Sequence, residues 1–168
     1  MKLTHRAAEL LQTLEYLNIA TVSANAHPWN TPVYARHDDR LNFYWCSWKD
    51  AEHSRNIRAN PRIFITLYDS TRKRGDNNLR CLYIQARACE IEDSDEISKA
   101  LHLLYPQDET EQKVDLVQGP SLRRIYRAIP ETMWLNDKSE RQVTRETVKM
   151  RVEVPIEELL NEIRIVTR

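Results

Sequence analysis

Glycine is nearly missing from this chain: Gly75 and Gly119 are the two in 168 residues, against a usual share of roughly 7%. A dinucleotide fingerprint or a phosphate loop needs several glycines, because the backbone itself must close on the phosphate. Any phosphorylated cofactor must therefore be held here by side chains and a helix end. Cysteine is scarce as well. Cys46, Cys81 and Cys89 are odd in number and contain no CxxC pair, which argues against a disulfide framework or a structural zinc site. No stretch approaches the roughly 18 uncharged apolar residues of a membrane helix. No charge of either sign dominates, since Lys plus Arg and Asp plus Glu are 25 each. That balance argues against nucleic-acid partners, which select for a basic excess, and leaves little repulsion to oppose self-association. Glu9 and Glu15 interrupt the apolar pattern of the opening MKLTHRAAELLQTLEYL, so it is not a signal peptide and cytoplasmic residence is expected.

What is present is ordinary globular material, 41% hydrophobic and 30% charged, enough for one domain over 1–168 with a sizeable core. THRAAELLQTLEYL (4–17) predicts an amphipathic helix with Thr4 as N-cap. IATVSA, WNTPVYARHDD and LNFYWCSW follow as three strands. Pro32 demotes the second to an edge or a bulge, and Asp38-Asp39-Arg40 turns it into the third as a hairpin. RIFITLYDS and LRCLYIQARACEIED are two more strands, separated by the basic, turn-rich TRKRGDNN. In the latter strand Leu82, Ile84, Ala86 and Ala88 share one face, and Tyr83, Gln85, Arg87 and Cys89 the other. Helices are expected at 94–105 and at SLRRIYRAI, with an acidic loop or frayed helix at QDETEQKVDLVQGP between them. ETMWLND and VKMRVEVPI close the chain as strands, and IEELLNEI as a helical turn. Many strands with few helices between them predict a mainly β antiparallel barrel with α decoration.

The segment SWKDAEHSRNIRANP (47–61) is polar and charge-dense between two aromatic, β-branched strands. Ser47 and Asp50 have the spacing of a capping box, predicting a helix from about Trp48, and Asn60-Pro61 stops it. A helix N-terminus carries partial positive charge and unpaired N–H groups. With Lys49, His53 and Arg55 nearby, it makes a phosphate site without glycine. The competing reading is that Arg55 and Arg58 only solvate a helix face and His53 is a surface histidine.

Residues 43–70, FYWCSWKDAEHSRNIRANPRIFITLYDS, resemble the cofactor strand–helix–strand of the pyridoxamine 5'-phosphate oxidase-like flavoproteins. The Asn-Ile and Asn-Pro of NIRANP carry the likeness, which extends to HPWNTPVYARHDD and to the strand with Gln85, over roughly residues 7–93. It is weaker at PETMWLND and VKMRVEV. The resemblance implies a split β-barrel with Greek-key connections, forming a homodimer with FMN at the interface. Carried over, Thr31, Pro32 and Val33 lie along the flavin ring. Trp45, Cys46 and Ser47 line it from the third strand, and Gln85 and Trp134 reach it from the partner or the back wall. His53 stands where the family has a phosphate-binding lysine and Glu52 where it has an arginine, so Lys49, His53 and Arg55 are the phosphate candidates. The Arg-x-His substrate pair of the family's best-known member is missing, and Glu153 stands where the histidine is wanted.

These readings predict an FMN-dependent oxidoreductase acting on a small molecule that is not pyridoxamine phosphate. No Ser-His-Asp, Cys-His or paired-carboxylate pattern competes with it, and a flavin carries its own redox chemistry. The alternative is a non-catalytic flavin- or haem-binding storage or sensing module, with His27, His37 or His102 as haem ligand. A third is a dimeric scaffold with an empty barrel.

Overall fold

The computed structural model describes residues 2–71, 80–136, 142–143, 148–149 and 151–166. Helix α1 (Leu3–Thr13) leads into a β1 (Tyr16–Val22) and β2 (Pro28–Tyr34) hairpin. The short β3 (Arg36–His37) pairs with β4 (Phe43–Trp48), and α2 (Glu52–Ala59) follows. Strands β5 (Arg62–Tyr68), β6 (Cys81–Glu90) and β7 (Arg123–Asn136) form a meander, with α3 (Ser94–Leu104) and a 3-10 turn at Val114–Leu116 inserted before β7. The two-residue strands β8 (Gln142–Val143) and β9 (Val148–Lys149) pair with each other. Strand β10 (Arg151–Glu153) and α4 (Ile156–Val166) complete the described chain.

The main sheet runs β2-β1-β5-β6-β7-β4-β3 with β10 beside β7, and every pairing is antiparallel. It wraps around one core to which all the long strands contribute, among them Ile19, Val33, Trp45, Ile65, Ile84 and Met133. This is the antiparallel split barrel. Within it Trp45, with no exposed surface, stacks on Tyr126 at 5.7 Å and 17°. A second core, on the other face of β4 and β7, packs Tyr44 and Ile125 under Ile97, Leu101 and Leu104 of α3. Asp93 caps that helix, its carboxylate accepting from Glu96 N at 2.8 Å.

Several elements differ from the sequence expectation. The opening helix stops at Thr13 and is preceded by Lys2, so Thr4 is a buried helical residue and not its cap. Leu17, read as helical, is the first inward residue of β1, alternating with Ile19 and Thr21. The larger correction is SLRRIYRAI, which is no helix: it begins the 14-residue strand β7, hydrogen-bonded to β4 on one side and β6 on the other. Ile125 and Tyr126 are both buried, one under α3 and one in the barrel. Burial on both faces erases the period of two, and Leu122, Ile125, Tyr126 and Ile129 fall at helical spacing by coincidence. Pro130, inside the same strand, sits where the ladder to β6 shifts register, leaving Glu131 as the extra residue of a bulge. A bulge is where a strand tolerates proline. IEELLNEI is likewise more than a turn, since α4 has 11 residues. Pro32 lies on the edge strand, as its type demands. Residues 72–79, with most of TRKRGDNN, lie outside the described residues, as does Met150 of the closing segment.

Topology places α2. Strand β4 ends beside β7, whereas β5 must start between β1 and β6, so the connection crosses one end of the barrel. Helix α2 makes that crossing and packs on β1, β2 and β6.

Candidate functional site

Helix α2 starts four residues later than the capping-box spacing suggests. Ser47 and Trp48 still belong to β4, paired with Arg124 and Arg123 of β7. The sheet ladder holds them extended, so Ser47 cannot cap. The N-cap is Ala51, with an extended backbone and no side-chain hydrogen bond. The amides of Glu52, His53 and Ser54 therefore open the helix without a capping oxygen, which is the arrangement that favours an anion. The helix stops at Asn60, as expected before Pro61.

The face that α2 turns to the barrel is polar and tied down. His53 is only 5% exposed, and its Nε2 lies 2.7 Å from Ser47 Oγ. Burial holds the imidazole below its ordinary value of 6.5, so the ring is neutral near pH 7. It is neither a surface histidine nor a cation. Buried Asn56 donates to Thr21 Oγ1 at 3.0 Å, fastening α2 to β1. Ile57 reaches the barrel core beside Trp45.

The charged groups surround this end. Arg55 is exposed, ion-paired with Glu52 and donating to the Asp50 carbonyl at 2.5 Å. Lys49 is half-buried, and its carbonyl accepts from Arg58 at 2.7 Å. Its ammonium has no partner among the described residues. Glu90 gathers Arg124 at 2.9 Å and Arg58 at 3.8 Å behind the helix.

Strand alternation separates the three residues expected from β4. Trp45 and Ser47 face inward. Cys46 faces the other way, where its sulfur accepts from Arg123 Nε at 3.4 Å, and Arg123 in turn pairs with Glu111 at 2.8 Å. Burial pushes the Cys46 thiol up and Arg123 offsets part of that. On β2, Val33 is in the core, Pro32 is exposed, and half-buried Thr31 accepts from Trp29 Nε1 at 2.8 Å. Gln85 and Trp134 lie on the outer face of the sheet. There Phe64 stacks on Trp134 at 6.4 Å and tilts against Tyr83, and Arg151 sits 3.9 Å over the Tyr83 ring.

The structure thus brings Ser47, Lys49, His53 and Arg55 to one barrel end, with the start of β2 alongside. Trp45 and Val33 lie beneath it in the core, and Gln85, Trp134 and Cys46 lie on other faces. Two residues of this end were missed in the sequence. Exposed Trp29 stands on β2, and Asn56 anchors α2. The signal for Asn56 was there, in the asparagine that opens NIRANP; its purpose needs the partner strand. Of the other candidate ligands, His27 and His102 are exposed, and His37 is half-buried at the far end of the barrel.

With this geometry the chain belongs to the pyridoxamine 5'-phosphate oxidase family, whose model matches residues 3–142. Its fold is similar to that of HutZ, the heme storage protein from Vibrio cholerae. The two are 21% identical, with a TM-score of 0.68 over 80% of this chain and 95% of that one. A heme-binding protein from Mycobacterium smegmatis is 15% identical, with a TM-score of 0.70 over 96% of this chain and 61% of that one. At these identities the likeness is one of fold. No curated protein matches the sequence. Among the described residues, no helix is long and apolar enough to cross a membrane.

Proposed function

We propose that this chain is an FMN-binding flavoprotein, a homodimer acting as an oxidoreductase on a small molecule. The observation that carries the reading is the uncapped first turn of α2, with Lys49 and Arg55 beside it, at a barrel end bordered by the edge strand β2. A phosphate meets two cations and free amides there, the contacts it needs in a glycine-poor chain. FMN, when bound, supplies the electron-transfer chemistry itself. The chain's residues bind and orient. Lys49 gives an uncommitted ammonium, and Arg55 can trade Glu52 for a phosphate oxygen. Neutral His53 holds the Ser47 hydroxyl in place and adds no charge. Thr31 and Pro32 present the edge along which the ring lies.

The substrate is not pyridoxamine phosphate. The Arg-x-His pair is missing, β10 reads Arg151-Val152-Glu153, and Arg151 is already engaged over Tyr83. The aromatic row Phe64, Tyr83 and Trp134 on the outer sheet face is the proposed dimer surface, which carries Gln85 and Trp134 toward the partner's cofactor.

Flavin titration tests the site. Lys49→Ala combined with Arg55→Ala is expected to weaken FMN at least about tenfold, roughly 1.4 kcal/mol, while riboflavin, which has no phosphate, is held equally by both proteins. Unchanged FMN affinity in the double variant contradicts the phosphate assignment. The second reading, a haem-binding storage or sensing module, is favoured by the heme proteins of the same fold. A Soret band that saturates on haemin titration, with no FMN uptake, would select it.

A further inference from the structure

The barrel has a second end. Where β1 and β4 begin and β2 finishes, away from α2, a cavity of about 210 Å³ with a mixed apolar and polar wall opens. Its wall is Leu11 and Leu14 from the end of α1, Leu17 and Leu67 from β1 and β5, Ala35, and Phe43 from β4. The helix stops short at Thr13, and Leu14 turns away in extended conformation, so α1 covers this mouth only in part. A closed, wholly apolar cavity of about 150 Å³ takes up benzene; this one is larger and open at its mouth, with room for one or two rings.

The polar part of the wall selects the ligand. His37 Nδ1 lies 2.9 Å from the Asp38 carbonyl, which only accepts, so Nδ1 carries the proton in the neutral ring. Nε2 then holds a lone pair, and it has no partner among the described residues. The same ring meets Phe43 edge-on at 5.8 Å and 62°. Arg36, also at the wall, is spent elsewhere: its Nε donates to Tyr34 OH at 3.1 Å, and its guanidinium is ion-paired with Glu15. Gln12, exposed at the mouth, is the remaining polar group of the wall; a carboxylate finds no free cation among these side chains, whereas a neutral donor finds an acceptor in His37 Nε2.

We propose that this cavity binds a neutral one- or two-ring aromatic compound bearing a single N–H or O–H donor, its rings against the leucines and Phe43 and its donor on His37 Nε2. The site uses neither Lys49 nor Arg55 and lies at the opposite barrel end from α2, so it stands apart from the flavin reading.

Calorimetric titration of the full chain with indole, toluene and benzoate tests it. Indole is expected to saturate at or below about 1 mM, more tightly than benzoate. His37→Phe should weaken indole at least about fivefold, the worth of one hydrogen bond, and leave toluene unchanged. Leu14→Phe, which fills the cavity from its half-buried rim, should abolish both; Ala35→Val is the second filled variant, and melting curves show which variants fold. FMN uptake should be the same in all of them. Absence of saturable indole binding to the wild-type chain overturns the proposal, as does indole binding that folded His37→Phe and the filled variants leave unchanged.

Discussion

Ser47 and His53 form a hydrogen-bonded pair at the barrel end where the cofactor phosphate is proposed to sit, with the imidazole nearly sealed from water. Burial lowers the His53 pKa below 6.5, so below that value the unfolded chain takes up the proton before the folded one. The stability contributed by neutral His53 is therefore complete above 6.5 and is lost as the pH falls beneath it. His53→Gln keeps a partner for Ser47 and does not titrate. Denaturant unfolding at about pH 5 and about pH 7.5 should show a larger fall for the wild type than for this variant. Equal falls would mean that His53 takes up its proton as easily folded as unfolded. The sequence exposed this position as a departure from its family, a histidine in place of lysine, but not its meaning. Whether a histidine is a cation or a buried neutral partner depends on what packs over it, and the strand that does so comes earlier in the chain.

Helix α2 is two turns long, and its stability comes from Asn56 and Ile57 against the barrel more than from its own caps. Ala51 leaves the first turn open. Ala51→Asp would supply the missing oxygen, a change worth about 1 kcal/mol and so a rise of roughly 2–4 °C in Tm. The same carboxylate would occupy the amides and repel an anion, so FMN affinity should fall as Tm rises. A stabilised variant with unaltered FMN affinity would remove α2 from the phosphate site. The elements themselves were unevenly legible. β6 was read face by face because one side of it is solvated, and Leu82, Ile84, Ala86 and Ala88 do face the core. β7, buried on both sides, lost its alternation and passed for a helix. The start of α2 was misplaced because a capping-box spacing at Ser47 competes with pairing to β7, and only the ladder decides between them.

For the whole molecule, the count of strands and the shortage of helices between them were enough to expect a barrel. The strand order was not, because which edges meet is settled by packing across the sheet. Assembly belongs to the same scale. The outer face of β5, β6 and β7 carries Phe64, Tyr83 and Trp134 as a partly exposed aromatic row. As a dimer surface it predicts sedimentation at twice the 19.9 kDa chain mass. Trp134→Glu should give a monomer that has also lost FMN, since half of the proposed cleft goes with the partner. A monomeric variant that keeps FMN would confine the cofactor site to one chain.

The measurement that tests the central claim most directly is the visible spectrum of the purified protein, taken after incubation with FMN and gel filtration. An FMN site of this kind should leave a retained flavin spectrum with one FMN per chain. A colourless protein whose melting temperature ignores added FMN would contradict it and leave α2 a structural crossing between β4 and β5.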